Sequence, residues 1–372
     1  MTAPDGFSLR VIGRERNEDM RRVLAASPVE SGGLAVTFAR DPDLFALPDL
    51  FSERVKCVGF FKAEELVGFA MLMLQSRLVD GRPREVMYFG NVHAVEAGRH
   101  RGFVDRAAKE LLGGPERWPE LGFAVVMRGN RSAERFIGRR DAGHRDFPAT
   151  RVVGTVRAKN VLITGPRRER GTYEVRPATP SDIGPIAALL QAEFRDRLFA
   201  PVVDDASFLG DFAGRPGCGL DDYRVAARDG RVVGVCAVWD MAGLKQTRIV
   251  RYGKKLRALR AVHAACAPVL GFPRLPLEGE PLKDVTVTDW AVEGRDPDIL
   301  EALLARVYNE SRSKGINVMT VGGLAGDPAL GAADRFFGPS VLSSMVMFSK
   351  DATLLAEGRV DASLPYMDLA LL

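Results

Sequence analysis

The chain has 372 residues, of which 46% are hydrophobic and 27% charged, and its formal net charge is +4. This length exceeds the size at which a single hydrophobic core keeps growing, so two domains are expected, and the composition is that of an ordinary globular protein. The small positive charge permits an acidic ligand but does not indicate nucleic-acid binding.

Several classes of protein are disfavoured at once. The apolar stretch at 66–74 is about half as long as a membrane crossing requires. The first residues lack the basic and apolar regions of a signal peptide, so a cytoplasmic location is expected. No Gly-x-Ser-x-Gly elbow or Walker loop supports a hydrolase or a nucleotide triphosphatase. Four cysteines without metal-ligand spacing fit a reducing compartment and argue against zinc: Cys57, Cys218, Cys236 and Cys266.

Elements of the first half recur in the second. Strands are predicted at 9–11 and 175–177, and helices follow at 17–26 and 181–194, with Asn17 and Ser181 as candidate N-caps. Next, two apolar runs flank a polar turn, at 63–65 and again at 228–231, which predicts a β-hairpin in each half. Gly68 and Gly234 of these hairpins are 166 residues apart, as are the opening strands.

A later match, Ala94-Val95-Glu96 against Ala291-Val292-Glu293, has a spacing of 197 residues and implies about 31 inserted residues. The insertion is placed at about 245–282, where a basic, helix-compatible stretch at 248–265 precedes a proline-rich run. A solvated helix face is the first interpretation. The alternative is a docking surface for an acidic partner, namely nucleic acid, a carrier protein or membrane lipid. The basic residues concerned are Lys245, Arg248, Arg251, Lys254, Lys255, Arg257 and Arg260.

The order of elements also repeats downstream. Helix, strand and helix are predicted at 103–112, 123–127 and 132–138, and again at 299–307, 316–321 and 328–337. Between the halves, residues 165–171 carry the glycine, proline and charge of a linker. The sequence therefore predicts two α+β domains of the same topology, at 1–165 and 172–372.

The region around residue 100 carries the strongest functional signal. A predicted strand beginning near Tyr88 runs through a basic, glycine-containing turn into an amphipathic helix. Such a strand-turn-helix presents backbone N–H groups to phosphate, so a nucleotide-type cofactor is the first hypothesis.

The turn Arg99-His-Arg-Gly-Phe-Val104 resembles the phosphate loop of the GNAT superfamily of N-acetyltransferases. A second segment, Asn130-Arg-Ser-Ala-Glu-Arg-Phe-Ile137, resembles the family's Asn-x-x-Ala helix start. The start of the second half, at 173–183, is typical of such domains. The resemblance implies two GNAT-like domains in tandem, each a mixed, mostly antiparallel twisted sheet flanked by helices.

The resemblance also implies a cofactor, acetyl-CoA or another acyl-CoA. Loop amides would face its pyrophosphate at the start of the helix, where the dipole favours anions. The strand before the loop would separate from its neighbour and pair with the pantetheine arm. Asn130 would bind that arm or cap its helix. The predicted cofactor-binding residues are Val92, His93, Ala94, Arg99, His100, Arg101, Gly102, Phe103, Val104 and Asn130.

The first half departs from the family pattern at three places. Val104 stands where glycine or alanine is usual, and Ile137 stands where many relatives have a tyrosine that protonates the thiolate. No glutamate precedes Ala94 on its strand, so the candidate bases are His93, Tyr88 and Glu96. His93 is preferred because imidazole titrates near neutrality. The alternatives are packing for His93, a core position for Tyr88 and a solvated turn for Glu96.

The second half lacks the loop. Asp296 and Asp298 flank Pro297 at its helix start, where they would cap the helix but repel phosphate, so this copy is expected to have lost cofactor binding. Trp290, in the predicted register of His93, is assigned to the cleft or the core.

The functional hypothesis is therefore acyl transfer from coenzyme A to a primary amine, on a small molecule or a peptide. A non-catalytic acyl-CoA-binding or scaffold protein is the alternative. A third possibility is a longer acyl chain or an acyl carrier protein as donor, docked on the basic insertion. Acceptor identity and oligomeric state do not follow from the sequence.

Overall fold

The structure is a computed structural model that describes residues 6–31, 33–98, 102–113, 118–130, 133–134, 148–169, 171–356, 360–361 and 364–371. Its strands are β1 (Phe7–Ile12), β2 (Val29–Ser31), β3 (Leu34–Ala39), β4 (Arg54–Lys62), β5 (Glu65–Val79), β6 (Arg82–Ala94), β7 (Leu121–Met127), β8 (Ala149–Leu162), β9 (Glu174–Pro177), β10 (Tyr223–Arg228), β11 (Arg231–Trp239), β12 (Gln246–Tyr252), β13 (Asp284–Val292), β14 (Val318–Leu324) and β15 (Ser340–Ser349). Its helices are α1 (Asn17–Ala25), α2 (Ala46–Asp49), α3 (Phe103–Gly113), α4 (Ile183–Phe194), α5 (Asp205–Ser207), α6 (Lys254–Leu270) and α7 (Pro297–Ser313).

Twelve strands form one continuous sheet in the order β1-β4-β5-β6-β7-β15-β8-β14-β13-β11-β10-β9. The halves exchange strands at its centre, because β8 pairs with β14 and β15 inserts between β7 and β8. A second sheet, β12-β3-β2, ties the insertion to the first half. The predicted division at 165–172 falls between β8 and β9 and stays a prediction, since β8 and β15 pair across it.

Both predicted hairpins are confirmed. In the first, Lys62 pairs with Glu65 around a two-residue turn, and Ala63 at that turn has φ +53°. In the second, Asp229 and Gly230 both have positive φ, which is the conformation that suits the right-handed twist of paired strands.

Local details of the prediction were wrong at two helix starts. Asn17 does not cap α1, because its side chain donates to the Pro42 carbonyl and accepts from the Leu44 amide. Thr179, not Ser181, caps the turn before α4, in a reciprocal capping box with Asp182. A shift of one or two residues decides which side chain reaches the free amides.

The helix predicted at 248–265 was wrong at its start. Residues 248–252 belong to β12, which pairs antiparallel with β3 from the first half. Helix α6 begins at Lys254 instead. The open edge of β3 offers ladder hydrogen bonds that outweigh local helix propensity.

Each half packs its helices on the sheet. In the first half, Phe103 of α3 stacks on Phe60 of β4 with ring centroids 5.1 Å apart. In the second, α7 buries Leu300, Leu303 and Leu304 against the sheet. Each such leucine contributes roughly 1.5–3 kcal/mol by leaving water, so these helix faces fix α3 and α7 beside the strands that matter below.

Candidate functional site

Strands β6 and β7 separate in the middle of the sheet. They pair in parallel over three residues, from Met87 with Gly122 to Phe89 with Ala124. Beyond that pair β6 continues for residues 90–94 and β7 for residues 125–127. The opposite edge of β7 stays hydrogen-bonded to β15 along its whole length. The result is a gap edged by two strands, with backbone groups of both facing it.

A β-bulge turns β6 at this gap. The pairing of β5 with β6 slips between Phe69 and Met71, so that Asn91 and Val92 together oppose one residue of β5. Asn91 adopts φ +50°, a left-handed conformation that asparagine tolerates better than most residues. Its side-chain amide lies 3.6 Å from the Met71 sulfur. The bulge re-aims the last residues of β6 away from β7.

Helix α3 starts beside the end of β6. Gly102 has φ +67°, and its carbonyl accepts the first helical bond from the Arg106 amide at 3.0 Å. The amides of Phe103 and Val104 come before that bond and so have no acceptor within the helix. Val104 packs against the cluster that contains Phe60 and Phe103. Its branched side chain is thus used in packing.

Part of the predicted loop lies outside the described residues, namely Arg99, His100 and Arg101, and the same holds for Ile137. At the gap, Val92 is 37% exposed, and His93 and Ala94 are partly buried. The side-chain oxygen of Asn130 accepts from the Ala133 amide at 3.3 Å, so Asn130 has the capping role that was one of its two predicted roles. Cofactor contacts of all these residues stay predictions.

The three candidate bases lie in different surroundings. Burial and the nearby Arg40 guanidinium lower the pKa of His93 to about 3, although the residue as a whole is only partly buried. Tyr88 is buried, donates from its hydroxyl to the Leu371 carbonyl at 3.2 Å, and has a raised pKa because of that burial. Glu96 is exposed on the turn after β6. Titration near neutrality, the reason for preferring His93, therefore does not apply at this position, and its catalytic role stays a prediction.

Sequence reasoning missed Arg40. It follows β3 directly, is only 5% exposed, and its charge acts on both Tyr88 and His93. Lys245, grouped with the basic insertion, also lies inside: its ammonium donates to the Ala370 carbonyl at 3.1 Å and sits 5.2 Å from the Phe38 ring centroid. No local motif marks either residue, because the contacts that define them come from distant parts of the chain.

The second half contains the equivalent gap, and it is filled. Strands β13 and β14 pair from Asp284 with Val318 to Val287 with Val321 and then separate. Trp290 crosses the gap, its indole N–H donating to the Gly322 carbonyl at 2.9 Å. A side chain on Gly322 would also collide with Leu369, which packs there.

The register of Trp290 differs from the prediction. Gly68 pairs with Ala94, and Gly234 pairs with Val292, so the two strands correspond at a spacing of 198 residues, not 197. Trp290 therefore matches Val92, the exposed residue of the first gap. Both strands carry the same bulge, so the difference comes from the short sequence match of residues 94–96 with residues 291–293, which is one residue out of step with the strand pairing.

A buried ion pair locks the second bulge. Asp289 has φ +47° and is the counterpart of Asn91. Its carboxylate binds the Arg215 guanidinium and accepts from the Tyr223 hydroxyl at 2.9 Å. The Arg215 guanidinium also lies 4.3 Å from the Trp239 ring centroid. The cavity that remains beside β13 has a volume of about 30 Å³, room for water but not for an extended cofactor arm.

The start of α7 is capped as predicted. The Asp296 carboxylate accepts from the Asp298 amide at 2.8 Å, and Pro297 occupies the first helical position. Arg335 binds Asp298 from outside the helix at 2.7 Å. These carboxylates occupy the helix start where the first half has Gly102.

The basic insertion is largely exposed, which fits both the solvated-face interpretation and the docking-surface alternative. Lys254, Lys255 and Arg257 lie on the outer side of α6, and Arg251 pairs with Glu30 at 2.6 Å. Among the helices within the described ranges, none is both long enough and apolar enough to cross a membrane.

Comparison with known proteins places the fold. No protein-family model matches the sequence, and neither does any curated protein. A crystal structure of Saccharomyces cerevisiae N-myristoyltransferase with bound myristoyl-CoA superposes with a TM-score of 0.58 at 12% identity, over 94% of this chain and 84% of that one. A GCN5-related N-acetyltransferase from Sphaerobacter thermophilus gives 0.57 at 12% identity, over 100% of both chains. The chain therefore has the fold of the GNAT superfamily in its tandem form, as the sequence predicted.

Proposed function

We propose that this protein is an N-acyltransferase that uses an acyl-CoA as donor and a primary amine as acceptor, with its site at the gap between β6 and β7. The thioester supplies an activated acyl carbon. The amine nitrogen forms the new C–N bond as the C–S bond breaks, and the proton that leaves the nitrogen goes to water or to the departing thiolate. The thiol of coenzyme A has a pKa of roughly 8 to 9 by analogy with cysteine, so its thiolate leaves readily without a dedicated acid.

One contrast carries the proposal. Among the described residues, the gap in the first half is open, in that no pairing joins β6 to β7 beyond Phe89 and Ala124, and the amides of Phe103 and Val104 at the helix start that follows have no helical acceptor. The matching gap in the second half is filled by Trp290, and its helix start is capped by Asp296. The same architecture is thus open in one copy and closed in the other, which supports a ligand in the open one.

The residues of the open gap fit an extended cofactor arm. Residues 90–94 and 125–127 present strand edges that suit main-chain hydrogen bonds to amide groups of a pantetheine-like arm. The amides of Phe103 and Val104, at the positive end of the α3 dipole, suit a diphosphate. Val92, His93, Ala94 and Gly102 would line the arm and the loop.

Acetyl-CoA is the simplest donor, and longer acyl-CoAs are the alternatives; the solved N-myristoyltransferase with the same fold contains myristoyl-CoA. The acceptor is proposed to be a small-molecule or peptide amine. A cytoplasmic location, free of membrane association, stays a prediction.

The test uses two glycine variants. Gly102→Val forces a β-branched residue into φ +67°, and no described atom lies within 4 Å of the new Cβ, so its main effect is backbone strain at the loop. Left-handed strain of roughly 1–2 kcal/mol should weaken binding of acetyl-CoA about tenfold by displacing the helix-start amides. Gly230→Val is the matched control, because Gly230 has φ +76° in an equally open hairpin turn of the other half.

Affinity for acetyl-CoA, octanoyl-CoA and myristoyl-CoA is measured by calorimetry, and thiol release is followed with a panel of amines. Weaker binding in Gly102→Val but not in Gly230→Val supports the site, and unchanged affinity in Gly102→Val refutes it. Binding without thiol release from any amine would support the non-catalytic alternative.

A further inference from the structure

The gap between β6 and β7 has a mouth and a vertex. The two strands run parallel, so their carboxyl ends lie at the mouth, and the last pair before the gap, Phe89 with Ala124, forms the vertex. Ala94 lies at the mouth, roughly 16 Å from the vertex along β6. Helix α3 starts there too, since an added Cβ on Gly68 would lie 3.2 Å from the Ala94 Cβ and 3.3 Å from the Phe103 ring. A cofactor arm that begins at this helix start would point its acyl end towards the vertex.

On one face of the sheet, aromatic rings fill the space at the vertex. Gly90 is the first residue of β6 beyond the pairing, and an added Cβ there would lie 2.6 Å from a carbon of the Tyr88 ring and 2.8 Å from its hydroxyl oxygen. The Tyr88 ring therefore covers the start of the gap. Its centroid lies 5.0 Å from that of Phe123, which stacks on Phe199 at 4.5 Å. All three residues of this aromatic stack are at most 3% exposed.

The opposite face of the sheet is filled as well. Phe89 points away from Tyr88 and is 9% exposed, within the cluster that α3 covers. An added Cβ on Gly122 of β7 would lie 2.4 Å from the Phe348 ring, so this ring lies directly on the strand just before the vertex. Because the strands are paired beyond the vertex, a chain that reaches it has to turn towards one face. On either face it meets packed side chains.

The second half supplies the last ring of the aromatic stack. Phe199 follows α4, and two hydrogen bonds tie its loop to β5 of the first half. The Phe199 amide donates to the Leu78 carbonyl at 2.8 Å, and the Leu78 amide donates to the Ala200 carbonyl at 2.8 Å. Phe199 has φ +66°, a conformation that persists in a residue with a side chain only where its surroundings hold it. Contacts between the halves thus fix the back of the stack.

We propose that the vertex admits only a short acyl group, such as acetyl or propionyl, and that Phe199 sets this limit by backing Phe123 and Tyr88. This inference rests on the proposed function and specifies its donor as a short-chain acyl-CoA. Packed interiors have few voids, so each further methylene of a longer chain has to displace an aromatic ring. The second half, whose own gap is filled by Trp290, then still contributes to the site of the first.

The first experiment uses the unmodified protein. Kd is measured by calorimetry for acetyl-CoA, butyryl-CoA and octanoyl-CoA, with no amine present, so that binding is read separately from turnover. Kd for octanoyl-CoA should exceed that for acetyl-CoA by about tenfold or more, which corresponds to the cost of forcing methylenes into a packed core. Butyryl-CoA should lie between them. Thiol release with the amine panel should decrease in the same order.

The second experiment shortens Phe199. Phe199→Ala leaves a cavity behind Phe123, and apolar cavities of this kind bind apolar groups, so the ratio of Kd for octanoyl-CoA to Kd for acetyl-CoA should fall about tenfold. Phe199→Leu keeps an apolar side chain and should lower the ratio less. Phe208→Ala is the matched control, because Phe208 is a fully buried phenylalanine of the second half that packs on Tyr223 in a different cluster. It should leave the ratio unchanged.

Two results would overturn the inference and leave the proposed function intact. One is a Kd for octanoyl-CoA equal to or below that for acetyl-CoA in the unmodified protein. The other is a Kd ratio that stays the same in both Phe199 variants, or that changes equally in Phe199→Ala and Phe208→Ala. If Phe199→Ala does not fold, Phe199→Leu and the first experiment decide. Failure of every acyl-CoA to bind would refute the proposed function and the inference together.

Discussion

His93 is expected to make the protein less stable in mild acid. Burial and the Arg40 guanidinium hold its pKa at about 3 in the folded state, whereas the unfolded chain has the ordinary histidine value of about 6.5. Above pH 6.5 both states are neutral at this residue and it contributes no pH dependence. As the pH falls from 6.5 towards 3, the unfolded state binds a proton that the folded state excludes, so stability is lost.

The size of the effect follows from these two pKa values. Proton linkage gives a loss of about 2 kcal/mol in the free energy of unfolding between pH 7 and pH 5 from this residue alone. His93→Gln removes the titrating group and should remove this part of the pH dependence. The variant should therefore lose about 2 kcal/mol less than the unmodified protein over the same interval.

The free energy of unfolding of both proteins is measured by urea denaturation at pH 7 and pH 5. The readout is how much more of this free energy the unmodified protein loses between the two pH values than His93→Gln does. An independent NMR titration follows the His93 imidazole directly. Identical losses in the two proteins, or an imidazole signal that titrates near pH 6.5, would show that the assigned environment of His93 is wrong.

Two further predictions concern the closed gap of the second half. Trp290→Ala removes the indole and its bond to the Gly322 carbonyl. The free energy of unfolding in urea should fall by about 3 kcal/mol and the Kd for acetyl-CoA should stay unchanged, whereas unchanged stability would contradict the assignment of Trp290 as the side chain that fills the gap. Arg215→Ala leaves the Asp289 carboxylate buried without its counter-ion. It should lower the free energy of unfolding by about 3–5 kcal/mol. Arg231→Ala, at an exposed pair in the same half, is its control and should leave stability nearly unchanged, and equal losses in the two arginine variants would refute the argument from burial.

Much of the architecture could be predicted because its determinants are local. Alternating apolar residues and polar turns located both hairpins, and the periodicity of α3 located its start at Phe103. The repeat of these patterns then predicted the tandem fold. Each of these features is decided within a few residues, by side-chain spacing and by backbone conformations such as the positive φ of Gly102.

Other features depend on which distant segments meet. The exchange of β8 and β15 is decided by strand edges that remain open only once both halves have formed. The register of Trp290 with Val92 is decided by which residues of β6 and β13 pair with their neighbouring strands, and a short sequence match placed it one residue off. The same holds for the lowered pKa of His93, whose causes are burial and the Arg40 guanidinium, which follows a strand of the other sheet.

The sequence by itself determined the fold, the repeat and the region of the candidate site, because periodicity and turn chemistry act over short distances. Only the tertiary structure decided that the second gap is closed by Trp290 and that Arg40 and Lys245 adjoin paired residues of neighbouring strands. Burial, electrostatic coupling and pairing between strands far apart in the chain are properties of the packed molecule, and they exist only after the segments have been brought together.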